Sequence, residues 1–250
     1  MIAPLLILLL LLGAWQAYAR IGDVDAFVLP APTDVAQALW DDRGLLWHNL
    51  LVTTTEVVLG IGVALLLGGL LAIAIHLWAP LRRALYPLLV GSQAIPIAII
   101  APLLVLWFGF GLLPKLVIIA LVSFFPVVVT TLDALAAVDP EQAKLLRTLD
   151  ATRGQLFRWV EAPAALPGAL SGARIAVAIA VIGAVFAEYA GSSEGLGNVI
   201  LQALPQLETA RAYAAVALLA LLAVLLFALI GAAERLLVPW ARRTRDVPSR

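Results

Sequence analysis

The sequence predicts an all-α integral membrane protein with six transmembrane helices in a single domain over residues 1–250, and three observations carry that prediction. Of the residues, 63% are hydrophobic and 13% charged, with a mean hydropathy of +1.04, too apolar for a soluble core-and-surface domain. Six apolar stretches reach or approach the roughly 20 residues that a bilayer core of about 30 Å requires. A single polar island, 139–163, interrupts them with four acidic and four basic residues in helical order.

The stretches run from Ile2 to Tyr18, Leu51 to Leu77, Leu85 to Gly109, Leu116 to Ala137, Pro167 to Ala190 and Ala212 to Leu237. The first has a rival reading, because Ile2 to Leu12 followed by Ala17-Tyr18-Ala19 matches the core and cleavage site of a secretory signal peptide. The lack of Lys or Arg ahead of it speaks for a retained span. An even number of spans puts both termini on one side. With the termini inside, the cytoplasm holds Arg82, Arg83, Lys144, Arg147, Arg153, Arg158, Arg235, Arg242, Arg243, Arg245 and Arg250, and the outside only Arg20, Arg43, Lys115 and Arg211. Basic residues are retained in cytoplasmic loops, so the polar island is expected in the cytoplasm.

Composition also excludes classes of function. There is no cysteine, hence no disulfide framework or thiolate site, and His48 and His76 lie too far apart in sequence to read as a metal pair. A formal charge of zero gives no sign of a nucleic-acid partner.

Within the island, Asp139-Pro140-Glu141-Gln142 combines an N-cap with a proline at the first helical position. Leu145, Leu146 and Leu149 follow on one face. Thr152-Arg153-Gly154-Gln155 is a second capping box, opening a helix with Leu156, Phe157 and Val160 as its apolar stripe and Pro163 as its close. Helix, tight turn, helix describes either a hairpin that docks on a partner or one that rests on the lipid surface.

The spacing of this stretch resembles the cytoplasmic signature loop of ABC-importer permeases, in which Glu-Ala-Ala is followed by a turn glycine and closed by Ile-x-Leu-Pro. With the closing proline on Pro163, Val160 and Ala162 take the Ile and Leu places, Asp150 takes the glycine and Lys144-Leu145-Leu146 take Glu-Ala-Ala. Asp tolerates a left-handed turn better than most residues, and its charge is placed to pair with Arg147 or Arg153. The resemblance extends through Leu29-Pro30-Ala31-Pro32, Gln93-Ala94-Ile95-Pro96, PLLVLWFG at 102–109, Phe124-Phe125-Pro126, AALPG at 164–168, Ser171-Gly172, Ala187-Glu188 and GSSEGLG at 191–197. Together they are similar to the permeases of nitrate, sulfonate and taurine importers, and most of all to those for thiamine pyrimidine precursors and riboflavin.

That resemblance implies a type I ABC importer permease fold in a bacterial inner membrane. It also implies a second permease copy, two cytoplasmic ATPase subunits that bind ATP and Mg, and an extracytoplasmic binding protein. This chain has no G-x-x-x-x-G-K-[ST] loop and is read as a transport subunit without a cofactor of its own. Coupling to the ATPase would fall to Lys144, Leu145, Leu146, Arg147, Leu149, Asp150, Ala151, Arg153, Leu156, Phe157 and Pro163.

Candidate pathway and gate residues are Gln93, Trp107, Phe108, Ser123, Phe124, Phe125, Glu56 and Glu188, weighed against plainer roles in packing and helix contact. Glu188 lies about 30 Å beyond Gly168 along a helix, near the outer interface with Glu56. There the two either snorkel and pair, with Arg211 for example, or gate the solute. Asp133 and Arg174 read as an inner ion pair. Pro96, Pro102 and Pro126 are placed to break or curve the spans, and Gly60, Gly62, Gly68, Gly69, Gly172 and Gly183 to permit close packing. An ion-coupled secondary carrier and an intramembrane enzyme are the alternatives, but no internal repeat and no convergent Ser, His and Asp favour either.

Overall fold

The computed structural model of the chain describes residues 2–22 and 24–240 and folds them into eleven α-helices and one π-turn. Arg242, Arg243, Arg245 and Arg250, which weigh in the charge count, lie outside the described residues. In order the elements are α1 (Ile2–Ile21), α2 (Pro32–Asp41), α3 (Arg43–Leu77), α4 (Ala79–Ser92), α5 (Ile97–Phe108), α6 (Leu112–Ala136), α7 (Pro140–Thr148), α8 (Arg153–Leu156), the π-turn (Phe157–Glu161), α9 (Ala162–Gly191), α10 (Leu196–Ala203) and α11 (Thr209–Leu237).

Six uniform spans give way to a more varied set. Four helices among the described residues are long and apolar enough to cross a membrane: α3, α6, α11 and the continuous run Arg153–Gly191. The predicted third span is α4 and α5, joined at a bend of 102°. Pro96 causes the break, since it lacks an N–H and drives Ile95 out of the helical region. Pro102 and Pro126 lie inside α5 and α6, which continue through them. The second span starts earlier than Leu51, because no proline lies between Arg43 and Leu77 to interrupt a helix that begins at Arg43. Nor does Pro163 close the hairpin's second helix. The π-turn precedes it, with the Ala162 N–H bonded to the Phe157 carbonyl, and the wider turn makes room for a ring that has no hydrogen to donate.

The core is built around α6, flanked by α3 and α9. A Cβ on Gly60 or Gly68 of α3 would come within 2.5 Å of Ile119 Cγ2 or 3.1 Å of Val127 Cγ1, and one on Gly183 of α9 within 2.6 Å of Val122 Cγ2. On Gly172 it would collide with Thr130 and lie 3.1 Å from the Pro126 carbonyl oxygen. Lipid supplies no hydrophobic drive for helix association, so backbones this close hold together by dispersion and shape. Gly62 and Gly69, expected to do the same, have open space beside them. Behind α9 a second layer of Val57, Ile61, Val177, Val181, Leu196 and Leu219 joins α3, α9, α10 and α11.

Helix α1 stands apart, with Leu6 to Leu12 exposed around it, as suits a helix whose surroundings are hydrocarbon. Its C-terminal half is tied to the bundle by the Trp15–Tyr213 ring pair at 5.8 Å and by Arg20 to Asp34 of α2 at 2.5 Å.

Two substitutions separate these glycine roles. Gly172→Val forces overlap with α6 and is expected to destabilise the bundle by about 1–3 kcal/mol or more, whereas Gly62→Val is expected to be tolerated. Thermal unfolding in detergent reads both, and equal melting shifts would disprove the α6-centred packing.

Candidate functional site

Two polar assemblies occupy opposite ends of the bundle, about 35 Å apart along α3 from Thr53 to His76. At one end is the hairpin of α7, α8 and the π-turn. The Asp139 side chain accepts the Glu141 N–H at 2.9 Å and starts α7. Its far end is a Schellman turn: Ala151 N–H bonds the Leu146 carbonyl and Asp150 N–H the Arg147 carbonyl, each at 3.1 Å. Asp150 sits at the left-handed position with φ 57°, where the resembling loops carry glycine. Thr152 and Gln155 then cap each other's backbone, with Thr152 N–H to Gln155 Oε1 at 2.7 Å and Gln155 N–H to Thr152 Oγ1 at 3.3 Å.

The hairpin's side chains divide by exposure. Leu145 and Leu149 stand 61% and 73% exposed, Leu146 and Ala151 are half-buried, and Lys144 pairs with Glu141 at 2.7 Å on the open surface. Arg147 and Asp150 are exposed too. Leu156, expected on the docking face, is instead 1% exposed and packs inward beneath the second helix, while Phe157 is half-buried with its ring 6.4 Å from that of His76. Arg153 does not pair with Asp150; its guanidinium Nη1 donates to Glu161 Oε1 at 2.8 Å. Glu161 is only 6% exposed, and its other oxygen accepts from His76 Nε2 at 2.9 Å. Pro163 follows, half-buried, in the first turn of α9.

At the opposite end Glu56 and Glu188 do not snorkel. Glu188 is fully buried, its Oε1 accepting the Thr53 hydroxyl at 2.6 Å and its Oε2 the Gly197 N–H at 2.5 Å. Thr53 Oγ1 in turn accepts the Leu196 N–H at 2.9 Å, and Asn49 Oδ1 accepts the Gly195 N–H at 2.6 Å. Three successive free N–H groups at the start of α10 thus end on side chains of α3 and α9, with a carboxyl at the positive end of the helix. Gly195, at φ 110°, has no Cβ to fill the space that the Glu188 carboxyl occupies. Beside this seat Lys115 Nζ bridges Glu56 Oε1 at 2.5 Å and Ser192 Oγ at 2.6 Å, bringing α3, α6 and the loop after α9 together. Arg211 is engaged elsewhere, in a forked pair with Asp42 at 2.7 and 3.0 Å and with Glu208. Arg174 pairs with Glu234 at 2.6 Å rather than with Asp133, which is exposed.

The remaining predicted residues are scattered. Gln93 is exposed at the 102° bend, and Trp107 and Phe108 are exposed on α5. Ser123 is buried in α6, and Phe124 and Phe125 pack against Ala72, Ile75 and Leu89. Sequence reasoning missed Asn49, Thr53 and Lys115, and also His76 and Glu161. A signal existed for the first two: Asn49, Thr53 and Glu56, followed by Gly60, form one stripe at helical spacing. For His76 and Glu161, 85 residues apart, nothing local marks the pair.

The profile of the family described as binding-protein-dependent transport system inner membrane component matches residues 60–243. The formylaminopyrimidine transport permease protein ThiX of Halalkalibacterium halodurans is 36% identical over 242 residues, 96% of this chain and 96% of that protein. The riboflavin transport system permease protein RibX of Chloroflexus aurantiacus is 39% identical over 235 residues, covering 93% and 88%. Among solved structures, the crystal structure of an amino acid ABC transporter with histidines superposes with a TM-score of 0.61 over 81% of this chain and 97% of that one, at 17% identity, a likeness of fold.

Lys115→Met leaves Glu56 buried without its counter-charge and is expected to destabilise the protein by about 3–5 kcal/mol, with Glu56→Gln in the same chain recovering most of the loss. A double-mutant cycle by thermal unfolding in detergent measures this; additive losses would show the pair to be unimportant. Asp150→Gly, which relieves the left-handed strain, is expected to raise stability by up to about 1 kcal/mol, and Asp150→Val to lower it by more than that.

Proposed function

The chain belongs to the family of binding-protein-dependent transport system inner membrane components, the permeases of ABC importers, and from that membership we propose that it forms the pathway for a small heterocyclic vitamin precursor of the formylaminopyrimidine or riboflavin kind. Identity of 36% across nearly the whole length of a permease named for formylaminopyrimidine carries this reading of the solute. The charge balance agrees. Glu56 with Lys115 and Arg174 with Glu234 are paired within the chain, while Glu188 is held by neutral donors, so neither Lys115 nor Arg174 is left as a free cation for a strongly anionic solute such as a sulfonate.

In the full assembly two copies of the chain pair, α1 serves as a sixth span, both termini face the cytoplasm, and the hairpin of each copy seats on one of two ATPase subunits. ATP and Mg belong to those subunits, and an extracytoplasmic binding protein brings the solute. Leu145 and Leu149 are the apolar anchors of docking, and Lys144, Arg147, Asp150 and Arg153 set its polar register, with Leu146 and Ala151 behind them. Leu156, Phe157 and Pro163 carry the load inward. Two capped turns and a helix continuous from Arg153 to Gly191 transmit it, since a packed helix moves as a body. ATP closes the ATPase pair, the hairpins follow, and the population of the permease shifts from inward-open to outward-open; hydrolysis returns it. Gln93, Trp107 and Phe108, exposed at the bend and on α5, face the pathway between the two copies, with Ser123, Phe124 and Phe125 as the packing behind it. Glu56 and Glu188 hold the outer loop in place at the gate.

Proteoliposomes holding the chain, its ATPase and its binding protein are expected to accumulate formylaminopyrimidine or riboflavin only with internal ATP. Uptake driven by a proton gradient without ATP would overturn the importer reading, and uptake of taurine alone would overturn the solute. Leu149→Asp is expected to abolish ATP-driven uptake with membrane insertion unchanged; full uptake would remove the hairpin from the mechanism.

A further inference from the structure

His76 and Glu161 lie behind the docking face, and Arg153 reaches in to them from it; the cluster of three ties three separate elements together. His76 is in the last turn of α3, Arg153 opens α8, and Glu161 ends the π-turn. Both oxygens of the Glu161 carboxylate are taken, Oε2 by His76 Nε2 at 2.9 Å and Oε1 by Arg153 Nη1 at 2.8 Å, and Arg153 Nη2 stands 3.2 Å from the same His76 nitrogen. At 6% exposure the carboxylate has little water to replace either donor. Apolar packing lies beside the link: the Phe157 ring stands 6.4 Å from that of His76, tilted by 40°, and Leu156 is buried beneath the same turn. The chain runs from the hairpin into α6 on one side and α9 on the other, never directly into α3. Force applied at α7 would therefore reach α3 only by way of helix packing unless this cluster carries it.

We propose that Glu161 is a positioning residue that latches the end of α3 to the hairpin, so that α3 moves together with α9 when the hairpin is displaced. This rests on the reading of the hairpin as the ATPase-coupling element. Through the latch one movement of the hairpin drives both flanks of α6, on which α3 and α9 are packed at their glycines. Without it α9 is still driven and α3 lags.

The absence of cysteine permits a selective test. A single cysteine at Leu66 of α3 or at Ile182 of α9, both exposed, takes an environment-sensitive fluorophore before assembly with the ATPase in nanodiscs. ATP with vanadate then drives the conformational change without any solute. Both probes are expected to shift in the otherwise unaltered chain. In Glu161→Leu, which keeps side-chain bulk but removes both carboxylate links and leaves only the 3.2 Å Arg153–His76 contact, the shift at Leu66 is expected to fall about fivefold or more while that at Ile182 persists. Glu161→Gln, whose amide can accept from Arg153 and donate to the imidazole, is expected to retain both shifts. A full Leu66 shift in Glu161→Leu overturns the latch, and so does equal loss at both positions in an assembled complex, which marks a merely structural residue. Should Glu161→Leu fail to assemble, His76→Leu is read with the same two probes, and the same pattern of shifts supports or overturns the latch. Leu149→Asp separates the premises: if it leaves both shifts intact, the coupling reading of the hairpin falls, whereas if it removes both and Glu161→Leu changes neither, only the latch does.

Discussion

The Glu188 carboxyl, buried where water does not reach it, is the contact on which one whole end of the bundle depends. In an apolar medium an unpaired N–H costs several kcal/mol, so the start of α10 can lie against the spans only if its free donors are met from within. Asn49, Thr53 and Glu188 meet them one after another, and the Thr53 hydroxyl both donates a hydrogen bond to the carboxyl and accepts one from the backbone. The helices cannot separate at this end without exposing three donors and a carboxyl at once. The same logic places Lys115 beside Glu56: a lone charge of either sign would be intolerable there, and the pair stitches α3 to α6.

Much of this architecture was legible in the sequence, and the parts that were not share a cause. Apolar stretches marked the spans because hydrocarbon filters composition harshly, and the caps of the hairpin were readable because Asp139-Pro140 and Thr152 to Gln155 act locally. Asp150 was readable for the same reason: the turn needs a left-handed residue at that position. Partner choice among ionisable residues was not readable. Arg174 finds Glu234 rather than Asp133, and Arg153 finds Glu161 rather than Asp150, because pairing across the bundle depends on helix rotation, which sequence spacing does not record. Proline was ambiguous for a related reason. Pro96 breaks its span and Pro126 does not, although both carry the same missing donor.

Membership of the importer permease family turns these observations into a division of labour. The end that holds Glu188 is closed by neutral donors and internal pairs, whereas the hairpin end leaves Leu145 and Leu149 open. Leu204 and Leu207 stand open at the first end as well, so it is the capped geometry of the hairpin, and not exposure alone, that sets it apart.

The π-turn at Phe157–Glu161 is a matter of residue count as well as of hydrogen bonding. It takes up one residue more than an α-helix would over the same turn, so each residue on its N-terminal side lies one place, about 100°, from the face it would occupy in an uninterrupted helix of the same sequence. Losing a single residue there would let the turn close as an ordinary α-turn, with the spans and the hairpin held nearly where they are. The turn therefore acts as slack in the residue count: the extra place is taken up locally, and neither the spans nor the hairpin has to turn to accommodate it.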